Sequence, residues 1–271
     1  MPELPEVETT RRGLAPHLTG RTVTRVVVRQ PRLRWPVPAA LARSLRGRRI
    51  DAVERRAKYL LLRTVAGTVI VHLGMSGSLH LVAAETTPGR HDHLDLVLDD
   101  GRALRLSDPR RFGACLWTAR DPAAHPLLAR LGPEPLGPEF TADYLYRRSR
   151  GRRVAIKAFL MDSHMVAGVG NIYANEALFL AGIHPRRSAG RIGRERCGVL
   201  VEAVRQVLTE ALAQGGTTLR DFLNGEGKPG YFQQYLRVYG RDGEACPSCT
   251  GPIRGLRQTQ RSTFYCPGCQ R

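Results

Sequence analysis

Cys246, Cys249, Cys266 and Cys269 read C-x2-C-x16-C-x2-C within the last 26 residues. Two-residue gaps fold a chain into a knuckle that aims both sulfurs at one ion, and four thiolates complete the closed tetrahedron of a structural zinc site. The spacing therefore predicts one structural Zn2+ with no open position for an activated water. Between the knuckles lie Gln260, Arg261, Ser262 and Thr263, with Arg254 and Arg257 nearby. A metal-stiffened hairpin with arginine at its tip suits a DNA groove or phosphates, and a solvated turn has the same composition. At the other end the chain opens Met1-Pro2-Glu3-Leu4-Pro5-Glu6. Proline second permits removal of the initiator methionine, which exposes a secondary amine. An α-amino group has a pKa of about 8, and a helix N-terminus beside it disfavours the ammonium further. Such an amine is a poised nucleophile for a sugar C1′, and Glu3 beside it is a placed proton donor. The same proline also serves simply to start a helix.

The chain has 271 residues, 42% hydrophobic and 24% charged, the balance of a globular protein able to bury a real core. Lys and Arg number 42 against 24 Asp and Glu, for a formal net charge of +18, which points to a polyanion as partner. Only Lys58, Lys157 and Lys228 are lysines, so the positive charge is arginine, whose planar fork fits phosphate oxygens and base edges. A GC-rich genome produces the same bias. No run of about 18 apolar residues exists, and Glu3, Glu6 and Glu8 replace the basic start of a secretory signal, so neither a membrane span nor secretion is expected. Without secretion, a disulfide framework is the weaker use of the four cysteines. Cys115 and Cys197, in apolar surroundings, read as buried thiols.

These residues need elements to hold them. Residues 3–14 carry acids early and Arg11, Arg12 and Gly13 late, the charge order of a short helix. From Arg21 to Trp117 the pattern turns to short alternating β-branched runs, with an Asp99-Asp100-Gly101 hairpin turn and one helical stretch at Ala39 to Leu45. About eight strands there read as an antiparallel sandwich. Five prolines between Arg120 and Pro138 mark a linker, after which apolar residues space helically over Ala142 to Arg148, Val154 to Met161, Ile172 to Leu180 and Glu195 to Leu212. The class is thus α+β. We expect an N-terminal antiparallel β-sandwich flanked by helices at 1–118, a linker at 119–138, a helical domain at 139–232 and a zinc-finger hairpin at 233–271.

Six motifs sharpen this reading. They are the opening PELPEVETTRRGL; Arg55-Arg56-Ala57-Lys58-Tyr59; His72-Leu73-Gly74-Met75-Ser76-Gly77; Asp108-Pro109-Arg110-Arg111-Phe112-Gly113; Gly168-Val169-Gly170-Asn171-Ile172-Tyr173; and Gln260-Arg261-Ser262-Thr263-Phe264-Tyr265-Cys266. In order and spacing, over the whole chain, they resemble the formamidopyrimidine-DNA glycosylase family, bacterial 8-oxoguanine DNA glycosylases. The resemblance implies a helix-two-turn-helix second domain and a base-excision-repair glycosylase and abasic-site lyase acting on oxidised purines in damaged double-stranded DNA. In that reading Pro2 is the nucleophile that forms a Schiff base, Glu3 the general acid, and Lys58 and Arg261 complete the catalytic set. β- and then δ-elimination follow, because an iminium acidifies the C2′ proton.

By the same resemblance Met75, Arg110 and Phe112 fill the gap left by an extruded nucleotide. His72, Asn171, Tyr239 and Arg261 form a phosphate clamp, His91, Arg153 and Lys228 add DNA contacts, and residues 217–231 form a loop over the flipped purine. Ser76 stands where some members carry glutamate, and Thr250 where many have glycine. A bacterial, cytoplasmic, nucleoid-associated monomer is implied. Two alternatives remain beside this reading. One is an endonuclease VIII-type glycosylase for oxidised pyrimidines, against which Leu4-Pro5-Glu6-Val7 and the long 217–231 segment argue. The other is a non-catalytic zinc-ribbon DNA-binding protein.

Overall fold

The structure is a computed structural model and describes residues 2–217 and 232–271. Its elements divide into two compact units, one comprising Met1–Arg130 with Gln214–Gln233, the other Leu131–Ala213 with Gln234–Arg271. Most of the 217–231 segment, Lys228 included, lies outside the described residues.

The first unit opens with helix α1, Leu4–Leu18. It runs past Gly13, where the sequence pattern ends it, because Leu14 and Leu18 are fully buried in the main core. Burying two leucines outweighs the roughly 1 kcal/mol that an interior glycine costs. Nine strands follow among the described residues: β1 Thr22–Val28, β2 Arg48–Arg49, β3 Ala52–Arg56, β4 Tyr59–Thr64, β5 Gly67–His72, β6 Ser78–Ala83, β7 Asp92–Leu98, β8 Arg102–Ser107 and β9 Ala114–Thr118, with helix α2, Leu41–Leu45, after β1. They form two antiparallel sheets, ordered β2-β1-β7-β8-β6 and β3-β4-β5-β9. Val23, Leu94, Leu96 and Leu104 of one sheet and Leu60, Leu62, Val69 and Val71 of the other share one buried cluster with α1, so the sheets make the expected sandwich.

Register decides what this sandwich presents. Tyr59 pairs with His72, and His72 with Ala114, so the β3–β4 turn, the end of β5 and the start of β9 meet at one end of the second sheet. In the first sheet Ser78 and Asp92 both pair with Ser107. The segments that carry Lys58, Met75 and Arg110–Phe112 therefore emerge from strand ends aligned by hydrogen-bond register, although they are far apart in sequence.

The second unit holds α3 Ala142–Ser149, α4 Ile156–Met161, α5 Asn171–Leu180 and α6 Arg194–Ala213, then the hairpin β10 Arg254–Gln258 and β11 Arg261–Tyr265. Thr141 caps α3 by accepting from the Tyr144 N–H, which satisfies one of the donors a helix start leaves open. Every residue of α5 from Ile172 to Phe179 is buried, and the helix packs against α4, α6 and β11. A helix buried on all sides is a central one. Thr259 and Gln260 at the hairpin tip both have positive φ, 46° and 60°, the type I′ geometry that matches strand twist. Arg261 thus leads β11 directly out of a two-residue turn.

Candidate active site and nucleic-acid interface

Pro2 and Glu3 are buried at the start of α1. Glu6, one turn on, reaches back with Oε2 to accept the Glu3 backbone N–H at 2.7 Å. Its other oxygen, Oε1, accepts the Thr217 N–H at 2.8 Å. Gly216 has φ +84°, and a Cβ there would stand 2.9 Å from Glu6 Oε1, so the chain passes too close for a side chain. One carboxylate thereby fixes both the first residues of the chain and the stem of the 217–231 segment.

Lys58 follows Ala57, whose φ of 53° makes the β3–β4 turn. Arg55 holds that turn, donating from one guanidinium nitrogen to the Ala57 carbonyl at 2.9 Å and from Nε to Glu8 Oε2 of α1 at 3.2 Å. Burial alone would raise the Glu8 carboxyl. The guanidiniums of Arg11, Arg12 and Arg55 more than offset that and hold it below the usual carboxylate range. Helix α1, which Pro2 and Glu3 precede, and the turn that carries Lys58 are linked through this pair.

His72 ends β5. Its Nδ1 accepts the Gly74 N–H at 2.9 Å, which leaves the proton of the neutral ring on Nε2, available to an acceptor outside. Burial, then the positive charges of Lys58 and Arg34, push its pKa down to about 4, so the ring is neutral at physiological pH. Met75 and Phe112, 42% and 43% exposed, stand out among apolar side chains that are otherwise mostly inside. The Arg110 guanidinium lies 4.8 Å above the Phe112 ring. An apolar wedge and an arginine on one face can enter a base stack and hydrogen-bond the base left behind.

Behind this face is a residue to which the sequence assigned no separate role. Asp108 is fully buried. Its carboxylate accepts the Ser76 hydroxyl at 2.8 Å, the Arg110 N–H at 3.2 Å and the Gly113 N–H at 2.7 Å. Its carbonyl meets His93 Nε2 at 2.7 Å, and its N–H donates to the His91 carbonyl at 2.9 Å. His91, half-buried before β7, is thus joined to the wedge loops by its backbone.

In the second unit Asn171, the first residue of α5, donates from Nδ2 to the Ser262 carbonyl at 3.1 Å and the Tyr239 hydroxyl at 3.4 Å. Arg261, exposed, adjoins this cluster at Ser262. Tyr239 packs edge-on against Phe264 of β11 at 5.2 Å. Glu176 is buried and accepts three successive backbone N–H groups, of Arg237, Val238 and Tyr239, at 2.8, 3.0 and 2.9 Å. Burial raises its carboxyl in spite of those donors. Lys157, 2% exposed, donates to the Ser262 carbonyl at 2.9 Å and to Thr263 Oγ1 at 2.7 Å. Arg153 is exposed between α3 and α4.

The four cysteine sulfurs of the tail lie within 4.8 Å of one another. Cys246 and Cys269 are 3.8 Å apart and Cys249 and Cys266 3.4 Å, close to the edge of about 3.8 Å that a tetrahedron with 2.3 Å metal–sulfur bonds has. The donor set therefore fits a closed four-sulfur metal site. Thr250, in the first knuckle, has φ +62°, a conformation that glycine adopts without strain.

The sequence profile of the formamidopyrimidine-DNA glycosylase N-terminal domain matches residues 1–115, and that of the H2TH domain of the same enzymes matches residues 131–223. The formamidopyrimidine-DNA glycosylase of Thioalkalivibrio sulfidiphilus is 63% identical over 271 residues, covering 100% of both chains. The chain belongs to the formamidopyrimidine-DNA glycosylase family. Among solved structures of the family, MutM (Fpg) from Thermus thermophilus superposes with a TM-score of 0.90 at 42% identity, over 99% of this chain and 98% of that one. A Lactococcus lactis Fpg variant, in complex with DNA containing Fapy-dG, gives 0.93 at 32% identity over 100% of both. Within this glycosylase the residues that sequence reasoning missed are Glu6, Asp108, Lys157 and Glu176. All four are buried polar groups, each with at least one partner distant in the chain. The available signal was a polar residue at a position otherwise set for the core.

Proposed function

We propose that this chain is a base-excision-repair DNA glycosylase and abasic-site lyase that removes oxidised purines, 8-oxoguanine and formamidopyrimidines, from duplex DNA. One observation carries the reading: Pro2 and Glu3 sit at the start of a helix whose Glu6 anchors them, in a chain aligned with a formamidopyrimidine-DNA glycosylase from end to end.

With Met1 removed, the Pro2 nitrogen forms a bond to C1′ as the bond from C1′ to the damaged base breaks, and the base departs with a proton. Glu3 protonates the ring oxygen, the sugar opens, and the nitrogen becomes an iminium. Loss of the C2′ proton expels the 3′ phosphate, and a second elimination expels the 5′ phosphate. Lys58 and His72 hold phosphates beside the lesion; neutral His72 does so through its Nε2–H. Met75, Arg110 and Phe112 occupy the space of the extruded nucleotide, at an unstacking cost of a few kcal/mol. Asn171, Tyr239 and Arg261 contact the backbone, with His91, Arg153 and Lys228 as further contacts. We assign the four-cysteine site to one structural zinc ion that stiffens the hairpin bearing Arg261. No helix among the described residues is long and apolar enough to cross a membrane. The reading places the protein on the bacterial nucleoid, and the +18 charge supports this.

Borohydride trapping on a duplex with one 8-oxoguanine opposite cytosine tests the reading. A covalent adduct is expected with the lesion and with Pro2, and with neither the undamaged duplex nor a Pro2→Gly variant. Absence of adduct and scission with correctly processed protein would overturn it.

A further inference from the structure

The loop between β1 and α2 carries charge toward the same end of the sandwich. Residues 31–37 close on themselves: the Val37 N–H donates to the Pro31 carbonyl at 2.9 Å, and Arg32 bridges Pro36. Leu33 and Val37 point into the main core. The residues between them are turned outward, Arg34 exposed and Trp35 half-buried. The loop is also anchored to the wedge. Its base is held where the Arg29 and Gln30 N–H groups donate to the His93 carbonyl at 2.8 and 3.2 Å, and its tip where the Arg34 N–H donates to the Gly113 carbonyl at 3.1 Å. His93 and Gly113 are both bonded to Asp108. The Arg34 guanidinium lies over the Trp35 ring at 4.6 Å, a stacking that limits its rotamers. It has no acidic partner among the described residues. Its charge is felt at the His72 ring, after burial and Lys58, and at the Tyr59 phenol, whose pKa burial raises.

We propose that Arg34 is a further DNA-contacting residue, binding a backbone phosphate of the duplex next to those held by Lys58 and His72. Two permanent cations and an imidazole N–H gathered at one strand end, with one guanidinium pre-ordered on an aromatic face, form a site for an anion. The proposal rests on the DNA-repair reading above and adds a contact that no motif in the sequence marked.

Binding to a lesion-bearing duplex, followed by fluorescence anisotropy across a salt series, is the test. Arg34→Gln should weaken binding and lower the salt slope by about 0.9, the value for one phosphate, whereas Arg34→Lys should keep the slope. Single neutral methylphosphonates placed along the strand should reveal one position at which the wild type loses affinity and Arg34→Gln does not. An unchanged slope and methylphosphonate profile in a folded Arg34→Gln variant would show that the side chain only packs on Trp35, and would overturn the proposal. Failure of the wild type itself to bind and to trap with borohydride would instead bring down the repair reading, and this proposal with it.

Discussion

The Ser76 hydroxyl donates to Asp108 Oδ1 at 2.8 Å, across 32 positions of sequence. Ser76 adjoins Met75, and Asp108 opens the segment that carries Arg110 and Phe112, so this bond couples the two loops that form the wedge. Their backbones also touch: a Cβ on Gly74 would lie 2.4 Å from the Phe112 carbonyl carbon, closer than any side chain tolerates. The wedge is therefore a packed platform, built before DNA arrives.

Asp108→Ala leaves the Gly113 N–H buried without its acceptor and strips two further donors, at a cost of roughly 2–4 kcal/mol; Ser76→Ala costs about 1 kcal/mol. Thermal melting should rank the two in that order. Excision of 8-oxoguanine should slow by tenfold or more in Asp108→Ala, while affinity for undamaged duplex, an electrostatic quantity, stays near wild type. Equal loss of both would mean that the platform serves general stability alone.

Glu3→Gln removes the proposed proton donor and keeps the side chain's shape. Scission at 8-oxoguanine should fall roughly 10²–10⁴-fold, the usual contribution of a placed general acid. Single-turnover kinetics checks this, and duplex affinity should be unaltered because the change lies in the chemical step.

His72 gives a pH signature. Its pKa is about 4 in the folded protein and near 6.5 unfolded, so between these values the unfolded chain binds the extra proton. Its contribution to stability is complete above the unfolded pKa and is lost as pH falls through the folded one. His80, His125 and His184 are lowered as well and act in the same direction. Denaturant melts at several pH values should therefore show stability falling on acidification, and less steeply in His72→Gln.

Removing the metal should unfold the β10–β11 hairpin, because four thiolates with no ion repel one another once ionised and the cluster of Val238, Cys246, Ile253 and Cys266 is small. Chelation should release one zinc per chain, abolish scission and leave the sandwich folded, as metal analysis and circular dichroism would record. A zinc-free preparation with full activity would contradict this.

Lys157 supports the same hairpin from beneath. Lys157→Met deletes the donor to the Ser262 carbonyl and Thr263 Oγ1, at a cost of roughly 1–3 kcal/mol. Since Ser262 adjoins Arg261 and also accepts from Asn171, the variant should lose more affinity for lesion duplex than its melting temperature alone accounts for.

Local spacing in the sequence was enough to reveal the four-cysteine cluster, the helices of the second unit and the alternating strands of the first. Thiolate knuckles, the 3.6-residue helix repeat and the two-residue strand repeat are short-range consequences of covalent geometry, and composition alone exposes a polyanion-binding charge. The family motifs then supplied the candidate site residues. Tertiary structure decided what holds those residues still. Glu6 meets Thr217 across 211 positions, Lys157 meets Thr263 across 106 and Glu176 meets Val238 across 62. Nothing periodic relates such partners. They meet because buried carboxylates and ammonium groups must find hydrogen bonds wherever the packed core places donors and acceptors, and strand register, which aligns His72 with Tyr59 and Ala114, exists only once the sheets have formed.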